Sequence, residues 1–267
     1  MSGSHRFKDV WGEDADYGDL FKKRNEVLDA LLKSPNRFQS INEREDRSDM
    51  PLEAIKAHMM GRYFIQHRGC QLIKTADDQA ILKEVLWYLR PATIIELGTF
   101  SGGNAIWMAD QLRLMEVDCR IFSMDINPTL LEERVKKIKP DNVTFLEGDS
   151  YKIEKTFPES FLRDLPHPWL VLEDAHENVD GVLEHFFQYM QTGDYFIVED
   201  TSPLMSTHCG VGRIYEDLPY KQAGMCLLDV VKAFLKKHDK ECAVDSFFTD
   251  FFGYNGTWNW HGFIRRM

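Results

Sequence analysis

Acidic and polar side chains recur at regular intervals in the middle of the chain, each directly after a short apolar run. They follow five such runs in turn: Gly98, then Asp125, then Asp149 with Ser150, then Glu173 with Asp174 and His176, and finally Glu199 with Asp200. Carboxylates that lie together bind cations or hydroxyl groups, and a neighbouring histidine can accept a proton. If the apolar runs are neighbouring parallel strands, their ends meet and these side chains form one site.

The densest group of acids consists of Glu173, Glu199 and Asp200, after the fourth and fifth runs. Three carboxylates in one place repel one another unless protons or a cation offset their charge. Hard oxygen ligands that leave room for water suit Mg²⁺, so the pattern favours a magnesium site. The alternative is that some of these side chains point away, cap helices or pair with Arg213.

His176 lies three residues after Glu173 and is the candidate general base. An imidazole titrates near neutrality, so it can take a proton from an acceptor hydroxyl or amine. A structural histidine that bonds a loop carbonyl is the competing interpretation. Two basic residues, Lys74 and Arg213, are interpreted as solvated surface charges rather than as partners of an anionic acceptor.

A glycine-rich turn separates the first apolar run, Thr93 to Leu97, from a predicted helix. Its glycines are Gly98, Gly102 and Gly103, and a strand, glycine turn and helix in succession bring backbone close to a nucleotide-like ligand. The spacing excludes a Walker loop, which needs Gly-Lys-Ser/Thr, and it also differs from Gly-x-Gly-x-x-Gly. An ordinary strand-to-helix turn with incidental glycines is the alternative.

Two acids after the second and third runs are candidates for binding a nucleoside. Asp125 is placed to accept hydrogen bonds from both ribose hydroxyls, and Asp149, with Ser150, is placed to meet an adenine amino group. Each acid has a structural alternative. Asp125 precedes Pro128 and competes as a helix cap, and Asp149 competes as a solvated loop acid.

The five apolar runs alternate with helical patterns, which indicates an α/β protein. Because strand-helix-strand connections are right-handed, we expect a Rossmann-like, doubly wound and mostly parallel sheet. Two final stretches, residues 243–252 and 262–267, predict an antiparallel strand pair at the C-terminus. The predicted parallel strands are Thr93 to Leu97, Arg120 to Met124, Val143 to Leu146, Trp169 to Leu172 and Tyr195 to Val198.

The chain divides into an N-terminal helical extension, residues 1–68, and a larger domain, residues 69–267, that carries the predicted sheet. The extension is predicted to cover the substrate or to contact another subunit. Within it, residues 39–50 are interpreted as a charge-rich connector that is mobile or draped on a partner. Residues 201–225 lack a clear period and are long enough to form a lid-like insertion.

The sequence as a whole is acidic and has the composition of a globular protein. Its 267 residues carry a net charge of −11, with 43% hydrophobic and 28% charged residues. This charge argues against nucleic acid and against an anionic membrane surface as partners, and no apolar stretch is long enough to span a bilayer. Five cysteines without a Cys-x-x-Cys pair predict reduced thiols in a cytoplasmic protein.

Several of these motifs occur together in one known family. They are Lys74-Thr75-Ala76-Asp77, Glu96-Leu97-Gly98-Thr99-Phe100-Ser101-Gly102-Gly103, Asp125-Ile126, Leu172-Glu173-Asp174-Ala175-His176 and Gly193-Asp194-Tyr195-Phe196-Ile197-Val198-Glu199-Asp200. With them, the run from Gly69 to Asp200 resembles the cephalosporin hydroxylase and rhamnosyl O-methyltransferase family. That family belongs to the class I S-adenosylmethionine-dependent methyltransferases.

The resemblance implies a class I methyltransferase fold, S-adenosylmethionine as methyl donor, Mg²⁺ as the ion that binds the acceptor, and a homo-oligomer. The chain departs from the family at Glu173, where an aspartate is usual. The longer side chain implies that the metal shifts, that Asp174 takes part, or that the metal is absent. By position, the resemblance assigns the metal to Glu173, Glu199 and Asp200. Together with the residue patterns above, it makes His176 and Glu173 the candidate catalytic residues and predicts cofactor contacts at Glu96, Gly98, Thr99, Ser101, Gly102, Gly103, Asp125, Asp149, Ser150 and Glu173.

The predicted function is therefore transfer of a methyl group to a hydroxyl of a small molecule, such as a sugar, a polyketide or another natural product. The first alternative is a metal-independent N- or O-methyltransferase that uses His176 as its base. The second is a cofactor-binding protein without catalysis. A nicotinamide dehydrogenase is disfavoured by the glycine spacing.

Overall fold

A central β-sheet with helices on both faces organises the described part of the chain. The computed structural model describes residues 17–138, 140–203 and 227–267. The strands are β1 (Phe38–Gln39), β2 (Gln66–His67), β3 (Cys70–Gln71), β4 (Thr93–Leu97), β5 (Arg120–Asp125), β6 (Val143–Glu147), β7 (Trp169–Glu173), β8 (Tyr195–Val198), β9 (Cys242–Asp245) and β10 (Phe263–Arg266). The helices are α1 (Tyr17–Leu32), α2 (Leu52–Gly61), α3 (Ala76–Leu89), α4 (Gly103–Leu114), α5 (Glu133–Ile138), α6 (Ile153–Thr156), α7 (Glu159–Leu162), α8 (Val179–Phe187), α9 (Leu227–Lys237) and α10 (Ser246–Thr249).

The strand order matches the predicted doubly wound sheet. It runs β1-β9-β10-β8-β7-β4-β5-β6, and β2 and β3 form a separate ribbon. Strands β6, β5, β4, β7 and β8 are parallel, whereas β10, β9 and β1 pair antiparallel. The predicted parallel strands are confirmed, and their carboxyl ends lie along one edge of the sheet.

Alternating side chains of the parallel strands pack against opposite helical layers. Ile94 and Leu170 pack with the layer of α3 and α4, whereas Ile95 and Val171 pack with the layer of α8 and α9. All four side chains are fully buried. Because both faces of the sheet are covered, these strands have continuous apolar sequences, and each such side chain contributes about 1.5–3 kcal/mol by burial.

The predicted strand over residues 243–252 is wrong beyond Asp245. Strand β9 ends there and helix α10 begins at the next residue. The Asp245 carboxylate accepts a hydrogen bond from the Phe247 amide at 2.9 Å and also binds the Arg37 guanidinium and the Tyr195 hydroxyl. An aspartate that caps a helix ends a strand even where apolar residues continue.

The N-terminal segment is joined to the C-terminal part of the sheet. Strand β1 pairs with β9, and the side chain of Arg44 is buried nearby. Its guanidinium donates to Asp250 at 2.6 and 3.0 Å and to His261 Nδ1 at 2.9 Å. Residues 39–50, interpreted as a mobile or partner-bound connector, instead lie against this chain's own C-terminal part.

We expect His261 to make the protein sensitive to acid. Burial, together with the charge of Arg44, lowers the pKa of His261 from 6.5 to about 4. Between these two pH values the unfolded chain binds a proton that the folded chain does not bind. The free energy of unfolding should therefore fall by about 3 kcal/mol as the pH drops through this window, which urea unfolding at a series of pH values will measure.

His261→Asn is the matched control for this pH dependence. Asparagine keeps an acceptor for Arg44 and tolerates the left-handed backbone at this position, where φ is +55°. It does not titrate, so the variant should lose less stability than the wild type over the same window. An identical pH dependence in both proteins would contradict the role of His261.

The sequence predicts that the chain has no membrane-spanning segment and that it carries a lid-like insertion. In the described part of the chain, no helix is long and apolar enough to cross a membrane. The lid-like insertion predicted at residues 201–225 lies outside the described residues from residue 204 onward, and so does Arg213.

Candidate functional site

The glycines of the predicted cofactor turn are required by close packing. Gly98 and Gly102 have a left-handed backbone, with φ of +96° and +84°, which disfavours other residues. A Cβ on Gly98 would lie 2.5 Å from the Asp174 carbonyl oxygen, and a Cβ on Gly103 would lie 1.9 Å from the Gln71 carbonyl oxygen. The turn is therefore pressed against two other segments, one of which follows strand β7.

Three polar side chains of the turn bond within the protein. The buried Glu96 carboxylate accepts a hydrogen bond from Ser123, whose hydroxyl also bonds Thr99 Oγ1 at 2.6 Å. The Ser101 hydroxyl donates to the Gln71 carbonyl at 2.8 Å. Burial raises the pKa of Glu96, and the hydrogen bond from Ser123 acts in the opposite direction. Glu96, Thr99 and Ser101 thus support the turn that is predicted to hold the cofactor.

Asp125 holds the two loops on either side of the predicted ribose position. Its carboxylate accepts from the Phe100 amide at 2.7 Å and from the Asn127 amide at 2.8 Å. The cap of the following helical turn is Asn127, which accepts from the Thr129 amide at 3.2 Å. Because each carboxylate oxygen has a second lone pair, Asp125 can still accept from a hydroxyl.

Asp149 lies where a side chain is predicted to bind the cofactor, and it also caps a helical turn. It accepts from the Tyr151 amide at 2.9 Å and from the Lys152 ammonium at 3.0 Å. The hydrogen bond from Lys152 lowers the pKa of Asp149. Ser150 is buried, and its carbonyl accepts from the Asn178 side chain at 2.8 Å. The helix cap is therefore part of the role of Asp149.

Three large apolar side chains are exposed beside these acids, and no role was predicted for them. Phe100, Ile126 and Tyr151 follow strands β4, β5 and β6 and are 45%, 59% and 59% exposed. An aromatic or aliphatic side chain at a ligand edge can pack against the face of a planar base. The sequence could have identified these three side chains as ligand contacts, because each lies within two residues of a predicted cofactor contact.

Two carboxylates and a histidine converge after strands β7 and β8. His176 Nε2 lies 3.3 Å from Asp174 Oδ1 and 3.4 Å from Asp200 Oδ2. Among the described residues, these three form the group of side chains that could hold a metal ion, with donor atoms within 4.8 Å of one another. His176 and Asp200 also have a left-handed backbone, with φ of +59° and +56°. Such strain recurs at functional sites.

Lys74 is buried, so its interpretation as a solvated surface charge is wrong. Its side chain is only 6% exposed, and its ammonium contacts Glu199 and, at 2.7 Å, Asp174 Oδ2. Burial alone would lower the pKa of Lys74, but the two carboxylates raise it above its ordinary value. Lys74 is therefore a permanent cation inside the acidic group.

Glu173 is fully buried at the end of β7, and one of its oxygens is unpaired. Its Oε1 accepts from the His176 amide at 2.9 Å, whereas Oε2 has no hydrogen-bond partner. His176 Nδ1 is also buried without a partner, 3.9 Å from that oxygen. Burial would lower the pKa of His176, but the carboxylates of Asp200, Glu173 and Asp174 raise it well above its ordinary value.

Arg62 extends the site to the N-terminal segment. It directly follows α2, is buried, and places its guanidinium 3.4 Å from Asp200 Oδ1. Burial alone would raise the pKa of Asp200, but His176 and Arg62 lower it to about 2. Sequence reasoning missed Arg62, because an arginine after a helix is usually exposed.

The converging donors differ from the predicted ligands Glu173, Glu199 and Asp200. Asp200 belongs to both sets, but Glu199 is paired with Lys74, and Glu173 directs one oxygen to a backbone amide. The site nevertheless fits a cation. A buried carboxylate oxygen without a partner is costly unless a ligand or ion compensates it.

Comparison with known proteins identifies the family of this chain. Residues 60–267, well over half of the sequence, match the family model described as rhamnosyl O-methyltransferase/CmcI. The chain belongs to the rhamnosyl O-methyltransferase/CmcI family. Rhamnosyl O-methyltransferases from Mycobacterium tuberculosis and Mycobacterium leprae are each 26% identical to it, over 142 and 140 residues. The chain spans only 56% and 59% of those relatives, which match 51% and 50% of it.

Solved structures of CmcI share the fold of this family member. CmcI described with Mg and SAM has a TM-score of 0.60 at 24% identity, covering 94% of this chain and 97% of that one. CmcI described with SAH has a TM-score of 0.57 at 24% identity, covering 84% and 95%. The predicted family and the predicted class I methyltransferase fold are both confirmed.

Proposed function

We propose that this chain transfers a methyl group from S-adenosylmethionine to a hydroxyl of a small molecule, with a divalent ion beside the acceptor. Family membership supports the reaction class, and the relatives named for rhamnosyl O-methylation support a hydroxyl acceptor. A sugar, a polyketide or another natural product fits this description.

The observation that carries the proposal is the contact between the cofactor turn and the acidic group. Strands β4 and β7 are neighbours, and the Asp174 amide donates to the Leu97 carbonyl at 2.9 Å. The Asp174 carbonyl oxygen lies 2.5 Å from the place that a Cβ of Gly98 would take. A cofactor in the turn would therefore present its methyl group next to the acids, as in-line transfer to a bound acceptor requires.

The cofactor side of the site has the groups that a nucleoside needs. Asp125 and Asp149 supply carboxylate acceptors at the ends of β5 and β6. Phe100, Ile126 and Tyr151 supply apolar surface at the same edge. Hydroxyl groups of a ribose and the face of a base match these two kinds of surface.

The charges on the acceptor side support a divalent ion. Within the described residues, two permanent cations face four carboxylates, which leaves an excess of two negative charges whenever the His176 imidazole is neutral, as it is when it binds an ion. The groups are Lys74 and Arg62 against Glu173, Asp174, Glu199 and Asp200. A divalent ion would offset this excess, and when bound it would lower the pKa of an acceptor hydroxyl. The family resemblance implies Mg²⁺ in this place.

The chain's own residues would hold and orient the acceptor. Arg62 closes the site from the N-terminal segment, which supports the predicted role of residues 1–68 as a cover. Glu173 fixes the backbone of His176 through its amide. In the absence of an ion, the neighbouring carboxylates raise the pKa of His176 well above its ordinary value, so its imidazole must first lose a proton before it can accept one from the acceptor.

Calorimetric titration with S-adenosylhomocysteine tests the cofactor assignment. We expect binding in the micromolar range, and about tenfold weaker binding by Asp125→Asn, which loses charge-assisted hydrogen bonds to the ribose. Asp141→Asn makes the same change at an exposed position before β6, at the opposite edge of the sheet, and should bind like the wild type. No binding to the wild-type protein would remove the proposed function.

Assembly and location are further parts of the proposal. We propose a homo-oligomer, supported by the exposed side chains of Met60 and Phe64, which lie at the end of α2 and in the turn after it. We also propose a cytoplasmic protein, supported by the free, buried thiols of Cys70, Cys119 and Cys242. No nucleic-acid partner is proposed, since the net charge is −11.

A further inference from the structure

Glu199 is already neutralised inside the acidic group. The buried Lys74 ammonium contacts Glu199 Oε2, and it binds Asp174 through Oδ2. A metal ion bound to Glu199 would stand next to this ammonium in a buried site, where two cations repel strongly. Lys74 thus disfavours Glu199 Oε2 as a ligand. Asp174, which the ammonium also binds through one oxygen, directs its other oxygen toward His176, with Oδ1 3.3 Å from Nε2.

The donor atoms that remain have the spacing of ligands around one ion. His176 Nε2 lies 3.3 Å from Asp174 Oδ1 and 3.4 Å from Asp200 Oδ2. Ligands bound about 2.1 Å from a metal ion lie about 3.0–3.4 Å apart in octahedral or tetrahedral geometry. An ion can therefore bind all three atoms once the two carboxylate oxygens, which lie within 4.8 Å of each other, draw together around it.

Two buried atoms beside the three donor atoms also support a bound metal ion. A histidine that binds a metal through one nitrogen usually donates its other N–H to a carboxylate or carbonyl. Here His176 Nδ1 and Glu173 Oε2 are both buried, neither makes a hydrogen bond, and they lie 3.9 Å apart, at the outer limit of an ion pair. A metal on Nε2 leaves the remaining proton on Nδ1, facing Glu173, so a bound ion keeps this buried pair together.

We propose that the ion site of this chain consists of Asp174 Oδ1, His176 Nε2 and Asp200 Oδ2, and that it binds a first-row transition ion such as Mn²⁺ or Co²⁺ rather than Mg²⁺. Mg²⁺ prefers oxygen ligands, whereas an imidazole ligand favours transition ions. Glu173 then orients the histidine instead of binding the ion. The inference rests on the proposed function, because it concerns the ion of the same site, and it makes His176 a ligand.

Titration with Co²⁺, followed by its visible absorption, tests the ligand set. We expect His176→Asn and Asp200→Asn to weaken Co²⁺ binding at least about tenfold. Glu199→Gln keeps an oxygen for Lys74 and should change the affinity less than about threefold, so it is the matched control. Loss of Co²⁺ binding in Glu199→Gln with full binding in His176→Asn would overturn the proposal.

Pulsed electron paramagnetic resonance of the Mn²⁺-loaded wild-type protein tests the same ligand set without any substitution. With isotope-labelled histidine, we expect the signal of a directly coordinated imidazole nitrogen. A spectrum with oxygen ligands alone would overturn the proposed set, and so would a wild-type protein that binds Mg²⁺ more tightly than Mn²⁺.

Titration of the same preparations with S-adenosylhomocysteine separates the two proposals. Cofactor binding together with an all-oxygen Mn²⁺ spectrum would keep the proposed function and reject the inference. A histidine-bound Mn²⁺ in a protein that binds no S-adenosylhomocysteine would reject the proposed function and support the ligand set.

Discussion

Replacing Lys74 with methionine is expected to lower the free energy of unfolding by about 3–5 kcal/mol. The buried ammonium binds both Glu199 and Asp174, so the variant leaves two carboxylates without their cation. Methionine is an unbranched side chain that fills much of the same space, so the lost charge dominates the effect. Urea unfolding of the two proteins at neutral pH measures the difference.

Two comparisons isolate the charge effect. Lys83→Met removes a half-exposed lysine that contacts Glu84, and we expect a change below about 1 kcal/mol. Combining Lys74→Met with Glu199→Gln removes one of the stranded carboxylates, so the double variant should be more stable than Lys74→Met alone. Wild-type stability in Lys74→Met would show that the ion pair is not formed.

Gly103→Ala is expected to cost about 3 kcal/mol of stability and to weaken S-adenosylhomocysteine binding at least about tenfold. The new methyl group would lie 1.9 Å from the Gln71 carbonyl oxygen, which belongs to backbone and cannot rotate away. Gly103 is the first residue of α4, so the displacement reaches the cofactor turn. Urea unfolding and calorimetric titration measure the two effects.

Gly61→Ala is the matched control for this substitution. Gly61 ends helix α2, and a Cβ there meets no atom within 4 Å. Alanine restricts the unfolded chain, so this variant should gain about 0.4–1 kcal/mol and bind S-adenosylhomocysteine like the wild type. Equal stability losses in Gly61→Ala and Gly103→Ala would contradict the packing argument.

The parallel strands were predictable because the central ones are buried on both faces and each is followed by a glycine or an acid. The run Trp169 to Leu172 is one example, since a continuous apolar stretch of this length suits a strand with helices on both sides. The same reasoning failed after Asp245, where the apolar run continues as a helix. There the Asp245 side chain caps the helix by accepting a hydrogen bond from the Phe247 amide, and periodicity does not reveal this contact.

The edge of the sheet that carries the site was also predictable, but the pairing of its side chains was not. The carboxyl ends of the parallel strands place Asp125, Glu173 and Asp200 along the same edge of the sheet, regardless of which partners their side chains bind. Lys74 reaches Glu199 across 125 residues of sequence, from a loop before α3. Arg62 reaches Asp200 across 138 residues, from the turn after α2.

The sequence by itself determined the doubly wound sheet, the glycine turn and the resemblance to a methyltransferase family, because these follow from local burial patterns and contiguous motifs. Only the tertiary structure decided which acids are neutralised and which remain available, because that depends on cations from distant loops. In this chain Lys74 binds Glu199 and one oxygen of Asp174, and the donor atoms that face one another belong to Asp174, His176 and Asp200.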